Sequence, residues 1–204
     1  MSATWKRNAG NIWCRGDSIT RGRNSDLAGW RTIANTALVT AGISKLWVGS
    51  QATGTPSLAH DGIDSDTCAA AKANVGAAAA LYRPAITVFW LGTNDEWFGS
   101  DLATTKTDWD ACVDAIFSGC PTTKMLALDP LDRTGHTAGT AAIAAAMPAW
   151  VAAHQAAGQN VALVSVRSLI DPVTQTDDGT HPTQAGYAAL EPTITAAIVS
   201  LVHA

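Results

Sequence analysis

The chain has 204 residues, 47% of them hydrophobic and 15% charged, which suffices for one sizeable core, and no long polar or low-complexity stretch divides it. Its formal charge is -4 and its lysines and arginines are scattered singly, which argues against nucleic acid as a partner because no basic stripe exists to meet a phosphate backbone. The expectation is a single domain over 1–204, with no export signal in the opening MSATWKRNAGN and no unbroken apolar run long enough to span a membrane.

In chain order, short β-branched runs alternate with alanine-rich stretches. A strand is predicted at 11–15, a helix at 26–41, a strand at 45–50, a helix at 66–82 and a strand at 85–91. A helix at 103–118, a strand at 124–129, a helix at 138–157, a strand at 160–166 and a helix at 183–202 follow. Gly42, Gly119 and Gly158 stand just past three helix ends, where C-terminal caps are expected, and Pro182 suits the first turn of the last helix. The pattern predicts an α/β fold, a three-layer α/β/α sandwich around a five-stranded, mostly parallel sheet. Right-handed crossovers then gather the loops at the strand C-termini on one edge, bringing Ser18, the 92–98 loop and the 171–181 loop together. Cys14, Cys68, Cys112 and Cys120 lack zinc-ligand spacing and are expected to be free buried thiols. A Cys112–Cys120 bridge is the one pairing that a helix end would allow.

Ser18 lies in the string Gly16-Asp17-Ser18-Ile19-Thr20, directly after the first strand, and Asp178-Gly179-Thr180-His181-Pro182 lies before the last helix. A serine hydroxyl is a poor nucleophile at neutral pH unless a base takes its proton and a third group holds the base. His181 and Asp178 supply those roles: a carboxylate three residues before a histidine reaches its Nδ1–H and leaves Nε2 for Ser18. Activity should then rise with pH as His181 loses its proton.

These strings, with Leu91-Gly92-Thr93-Asn94-Asp95 between them, resemble the SGNH or GDSL hydrolases over nearly the whole chain. The resemblance implies a flavodoxin-like sandwich and an oxyanion hole made of the Ser18 backbone N–H, the Asn94 side-chain amide and a backbone N–H from a further block. That block usually carries a glycine; here it looks like Ile63-Asp64-Ser65-Asp66-Thr67, so Ser65 holds the glycine's place and Gly62 is the fallback donor. Residues 48–67, with Gln51, His60 and Asp61, resemble family 3 carbohydrate esterases, which implies short O-acetyl esters of carbohydrates as substrates. A small ester or acetylated glycan is therefore the expected partner, with no cofactor. Alternatives with the same residues are a lipase, lysophospholipase or thioesterase, or a catalytically silent carbohydrate-binding module.

Trp97 lies beyond its strand on the active edge and is a candidate sugar platform, whereas alternation makes Trp90 a core residue. Asp17 is a further candidate for substrate contact, although Asp17 and Asp95 suit turn-holding better than metal binding. His60, His136, His154 and His203 show no partner spacing that marks a second centre, and Asp177 reads as solvated acid.

Overall fold

The computed structural model describes residues 10–25 and 29–203. The opening segment and the predicted start of the first long helix at 26–28 lie outside the described residues. Strand β1 (Asn11–Gly16) leads into a one-turn helix α1 (Ser18–Arg21), then α2 (Gly29–Thr40) and β2 (Leu46–Val48). A hairpin of β3 (Gln51–Thr53) and β4 (Leu58–Gly62) precedes α3 (Cys68–Ala71) and α4 (Val75–Tyr82). Next come β5 (Ile86–Trp90), the short α5 (Thr93–Trp97), α6 (Leu102–Gly119) and β6 (Lys124–Leu128). The chain closes with α7 (Thr137–Ala156), β7 (Val161–Val164), a 3₁₀ turn at Arg167–Leu169 and α8 (Gln184–His203).

All five predicted strands form, but among the described residues the sheet has seven, in the order β3-β4-β1-β5-β6-β7 with β2 also on β1. Strand β1 is bordered along its first half by β2 and at its end by β4, both parallel, so the two share one lane of the sheet. The β3–β4 pairing is antiparallel and was missed from sequence because the buried side chains there are polar, not alternating apolar. His60 and Asp61 are buried by hydrogen bonding: Asp61 accepts from the Trp13 indole N–H at 2.8 Å and from the Ser50 backbone N–H at 2.6 Å.

Period-two alternation assigns the central strands to two cores. Ile12, Cys14, Val88, Trp90, Leu126 and Leu128 face one side, against Trp30, Ala34 and Leu38 of α2 and Tyr187, Leu190, Ile194 and Ile198 of α8. Trp13, Phe89, Leu91, Met125 and Ala127 face the other, against α3, α4, α6 and α7 through Val75, Trp109, Ile116 and Met147 among others. Helix α8 is long and apolar enough to cross a membrane by composition, but its apolar residues at helical spacing line the first core. The four cysteines are buried and unbridged; Cys112 Sγ sits against the Cys68 carbonyl and not against Cys120.

Three local expectations need correction. The predicted helix 66–82 is broken into α3 and α4, with Asn74 as N-cap of the second and its N–H donating back to the Ala71 carbonyl. Gly119 is the last residue of α6 and not a left-handed cap; a Cβ there would lie 2.2 Å from the Gly76 carbonyl oxygen, so glycine serves close α4–α6 packing. Gly42 and Gly158 do adopt positive φ. Pro182 precedes the helix: the Thr183 hydroxyl accepts from Gly186 N–H and caps α8, while Pro182 bridges to Thr176.

Candidate active site

The C-terminal ends of β4, β1 and β5 lie side by side, with Gly16 paired to Gly62 on one flank and to Trp90 on the other. That register places the turns after these strands together. Gly16 cannot carry a side chain: a Cβ would lie 2.1 Å from Thr20 Oγ1 and 2.6 Å from the Trp90 carbonyl oxygen. Asp17 then caps α1 by accepting from Ile19 N–H at 2.9 Å, and Ser18 becomes the first residue of the helix. Its own N–H has no acceptor among the described residues, as befits a first-turn donor.

The Ser18 hydroxyl lies 2.7 Å from His181 Nε2, across the full width of the chain. His181 Nδ1 is 2.6 Å from Asp178 Oδ2, while Asp178 Oδ1 accepts from the His181 and Thr180 backbone N–H groups at 2.8 and 3.1 Å. These bonds fix the ring: Nδ1 carries the proton and donates to Asp178, leaving Nε2 to accept from Ser18. Partial burial acts upward on the Asp178 carboxyl, yet the His181 N–H, its ring and the Thr180 N–H together hold it down at about 2. The carboxylate therefore stays ionised and acceptor-only across the neutral range.

Asn94 opens α5, beside Asp17. Its Nδ2 donates to the Asp66 carbonyl at 3.0 Å and makes a longer contact of 3.4 Å to Asp17 Oδ2. Asp66 is itself anchored by a buried ion pair with Arg15. Ser65 sits in the left-handed region at φ 61, so the geometry does ask for the glycine that the sequence lacks. Its N–H has no acceptor among the described residues. The fallback donor is ruled out, because Gly62 N–H donates to His60 Nδ1 at 2.9 Å. Burial and the nearby Arg31 push the His60 ring down to about 3, so it is neutral, with Nε2–H donating to Thr53 Oγ1 at 2.8 Å.

Asp17 is 2% exposed and its oxygens face Ile19 and Asn94, which gives it a capping task in place of the substrate contact suggested from sequence. Asp95 accepts from Cys68 N–H at 3.0 Å and pins α3 under the site. Trp90 is buried, with its indole N–H donating to the Asp129 carbonyl at 2.8 Å. Trp97 is 47% exposed, carries the Arg133 guanidinium over its ring at 4.0 Å and meets His136 edge-on at 4.6 Å. Arg133 escaped the sequence reading, its one signal being a position in the loop that follows the predicted strand at 124–129, and His136, read there as a histidine without a partner, meets Trp97 and Glu96 instead.

The sequence model of the GDSL-like Lipase/Acylhydrolase family matches residues 14–189. The chain belongs to this family. As a GDSL-like hydrolase it is an ester hydrolase of the serine type. Among solved structures, it superposes on a Clostridium thermocellum family 3 carbohydrate esterase with a TM-score of 0.86 at 24% identity, over 95% of this chain and 97% of that one. A Talaromyces cellulolyticus carbohydrate esterase of family 3 gives 0.85 at 22% identity, over 95% and 98%. The M. smegmatis aryl esterase gives 0.72 at 18% identity, over 94% and 99%. At these identities the likeness is one of fold. No curated protein matches the sequence of this GDSL-like hydrolase.

Proposed function

We propose that this GDSL-like hydrolase, acting as one domain, cleaves short-acyl esters, chiefly O-acetyl groups on carbohydrates, through an acyl-enzyme on Ser18. The observation that carries the reading is the unbroken Ser18–His181–Asp178 hydrogen-bond relay, at 2.7 and 2.6 Å. Ser18 Oγ attacks the ester carbonyl as its proton passes to His181 Nε2, and the imidazolium is held by Asp178. The carbonyl π electrons move onto oxygen, where the Ser18 and Ser65 N–H groups and the Asn94 amide, exchanging its 3.4 Å contact to Asp17, receive the charge. The C–O bond to the alcohol breaks and the alcohol leaves with the proton from His181. Water then repeats the sequence with His181 as base, releasing the acid and restoring Ser18.

Similarity in fold to two family 3 carbohydrate esterases, at TM-scores of 0.86 and 0.85, supports the acetyl-carbohydrate preference over the longer acyl chains of a lipase or thioesterase. The test has two arms. A fluorophosphonate should label Ser18 in the wild type and leave Ser18→Ala unlabelled, while His181→Ala should label at least about 100-fold more slowly. Rates on acetyl, butyryl and octanoyl 4-nitrophenyl esters should fall as the chain lengthens. A steep rise toward octanoyl would replace the acetylesterase reading with a lipase one, and failure of the probe to modify Ser18 in the folded wild type, with His181→Ala no different, would favour a silent binding module.

A further inference from the structure

The loop that follows β6 brings a cation to the active edge. Thr134 N–H donates to the Gly179 carbonyl at 2.8 Å, which ties this loop to the Asp178–His181 turn. On its other side the Arg133 guanidinium carbon sits over the Trp97 ring, 4.0 Å from the centroid, and Trp97 ends the same short helix that carries Asn94. The guanidinium is thus held between the two loops that frame Ser18. Among the described residues it makes no ion pair and no hydrogen bond, and its Nε is buried without a partner. Partial burial pulls its pKa down, against the opposing charges of Glu96, Asp17 and Asp178, none of which pairs with it. Glu96 Oε1 is 3.2 Å from His136 Nδ1 instead.

The terminal Nη1 and Nη2 of this planar group, over an aromatic ring and with no acceptor among the described residues, form a fork that matches a two-oxygen anion, which it can grip with parallel hydrogen bonds. We propose that Arg133, supported by Trp97, binds a carboxylate on the alcohol side of the substrate, so that the favoured esters are O-acetylated acidic sugars. The guanidinium carries one positive charge, which matches the single negative charge of a carboxylate and not the double charge of a phosphate monoester. The inference rests on the esterase reading above and names the substrate class of that same site.

The test compares O-acetylated methyl glucuronoside with O-acetylated methyl glucoside, which differ only in a carboxylate against a hydroxymethyl at C6. Wild type should prefer the glucuronoside by about 10- to 100-fold in kcat/KM, mostly through KM. Arg133→Gln should lower kcat/KM for the glucuronoside by about that factor more than for the glucoside, and Arg133→Lys should recover only part of it. A binding arm avoids turnover: in Ser18→Ala, methyl glucuronoside should bind more tightly than methyl glucoside, and the added Arg133→Gln should erase the difference. Wild type without a preference, or Arg133→Gln harming both esters alike, overturns the carboxylate subsite while the esterase stands. Loss of 4-nitrophenyl acetate cleavage and of Ser18 labelling overturns the esterase reading and this inference with it. A larger gain from an O-acetylated sugar phosphate than from the glucuronoside would overturn the choice of anion.

Discussion

Ser65 is the residue where sequence and geometry pull apart. It occupies a left-handed backbone position, at φ 61, where a side chain costs about 1–2 kcal/mol relative to glycine, yet the donor the site needs is its backbone N–H. Ser65→Gly should therefore leave turnover within about threefold of wild type. Its stability should rise by at most about 1 kcal/mol, since glycine's extra unfolded-state freedom offsets much of the relief. Thermal unfolding with parallel 4-nitrophenyl acetate kinetics checks both. In the proposed mechanism Asn94 behaves oppositely: its side-chain amide is the donor, so Asn94→Ala should lower kcat by about 100- to 1,000-fold with little change in KM. A comparable loss in Ser65→Gly would mean that the serine hydroxyl, and not the backbone, does the work. The Asp178–His181 contact of the proposed triad, by contrast, was legible from residue types and spacing, because an Asp three positions before a His in a tight turn leaves few other arrangements for the ring.

At the scale of elements, the alternation of apolar runs revealed β1, β2, β5, β6 and β7 and most of the long helices, since those segments are shaped by one-sided burial. The β3–β4 hairpin stayed hidden for the opposite reason: His60 and Asp61 enter the interior through partners that lie elsewhere in the chain, including Trp13 and Ser50. The short helices α1 and α5 were likewise invisible, being single turns set by strand-end geometry. Glycine had two meanings that sequence could not separate. Gly42 and Gly158 cap helices at positive φ, whereas Gly119 lets α6 approach α4 at Gly76. Gly119→Ala should cost about 1–3 kcal/mol by overpacking that contact, measured by urea unfolding, while kcat of the folded variant stays at the wild-type value because the contact lies away from Ser18. Unchanged stability would show that the two helices can part freely.

Across the whole molecule, carboxylates beneath the active edge titrate against the fold. Burial pushes Asp17 up to about 7 and Asp95 up to about 6, from a usual value of 3.8. A raised carboxyl pKa means that the folded state holds the proton more tightly than the unfolded one. The stability from Asp95 is thus full below about pH 4 and is lost as pH rises to about 6. Asp95→Asn cannot ionise, so its stability relative to wild type should grow over that window by at most about 3 kcal/mol, followed by denaturant melts at pH 4, 6 and 8. A constant difference would place the Asp95 carboxyl in the ordinary range. Asp178 runs the other way, its contribution present above the usual value and lost as pH falls through about 2. The layered α/β plan and the candidacy of Ser18, Asn94, Asp178 and His181 could be read along the chain, because burial periodicity and turn chemistry are written locally. It took the folded molecule to show that Gly62 N–H is spent on His60, that Ser65 stands in a glycine's conformation, and that the Arg133 guanidinium sits over Trp97. Each of those depends on which loops meet at the sheet edge, and that meeting is set by long-range packing, which leaves no periodic trace along the chain.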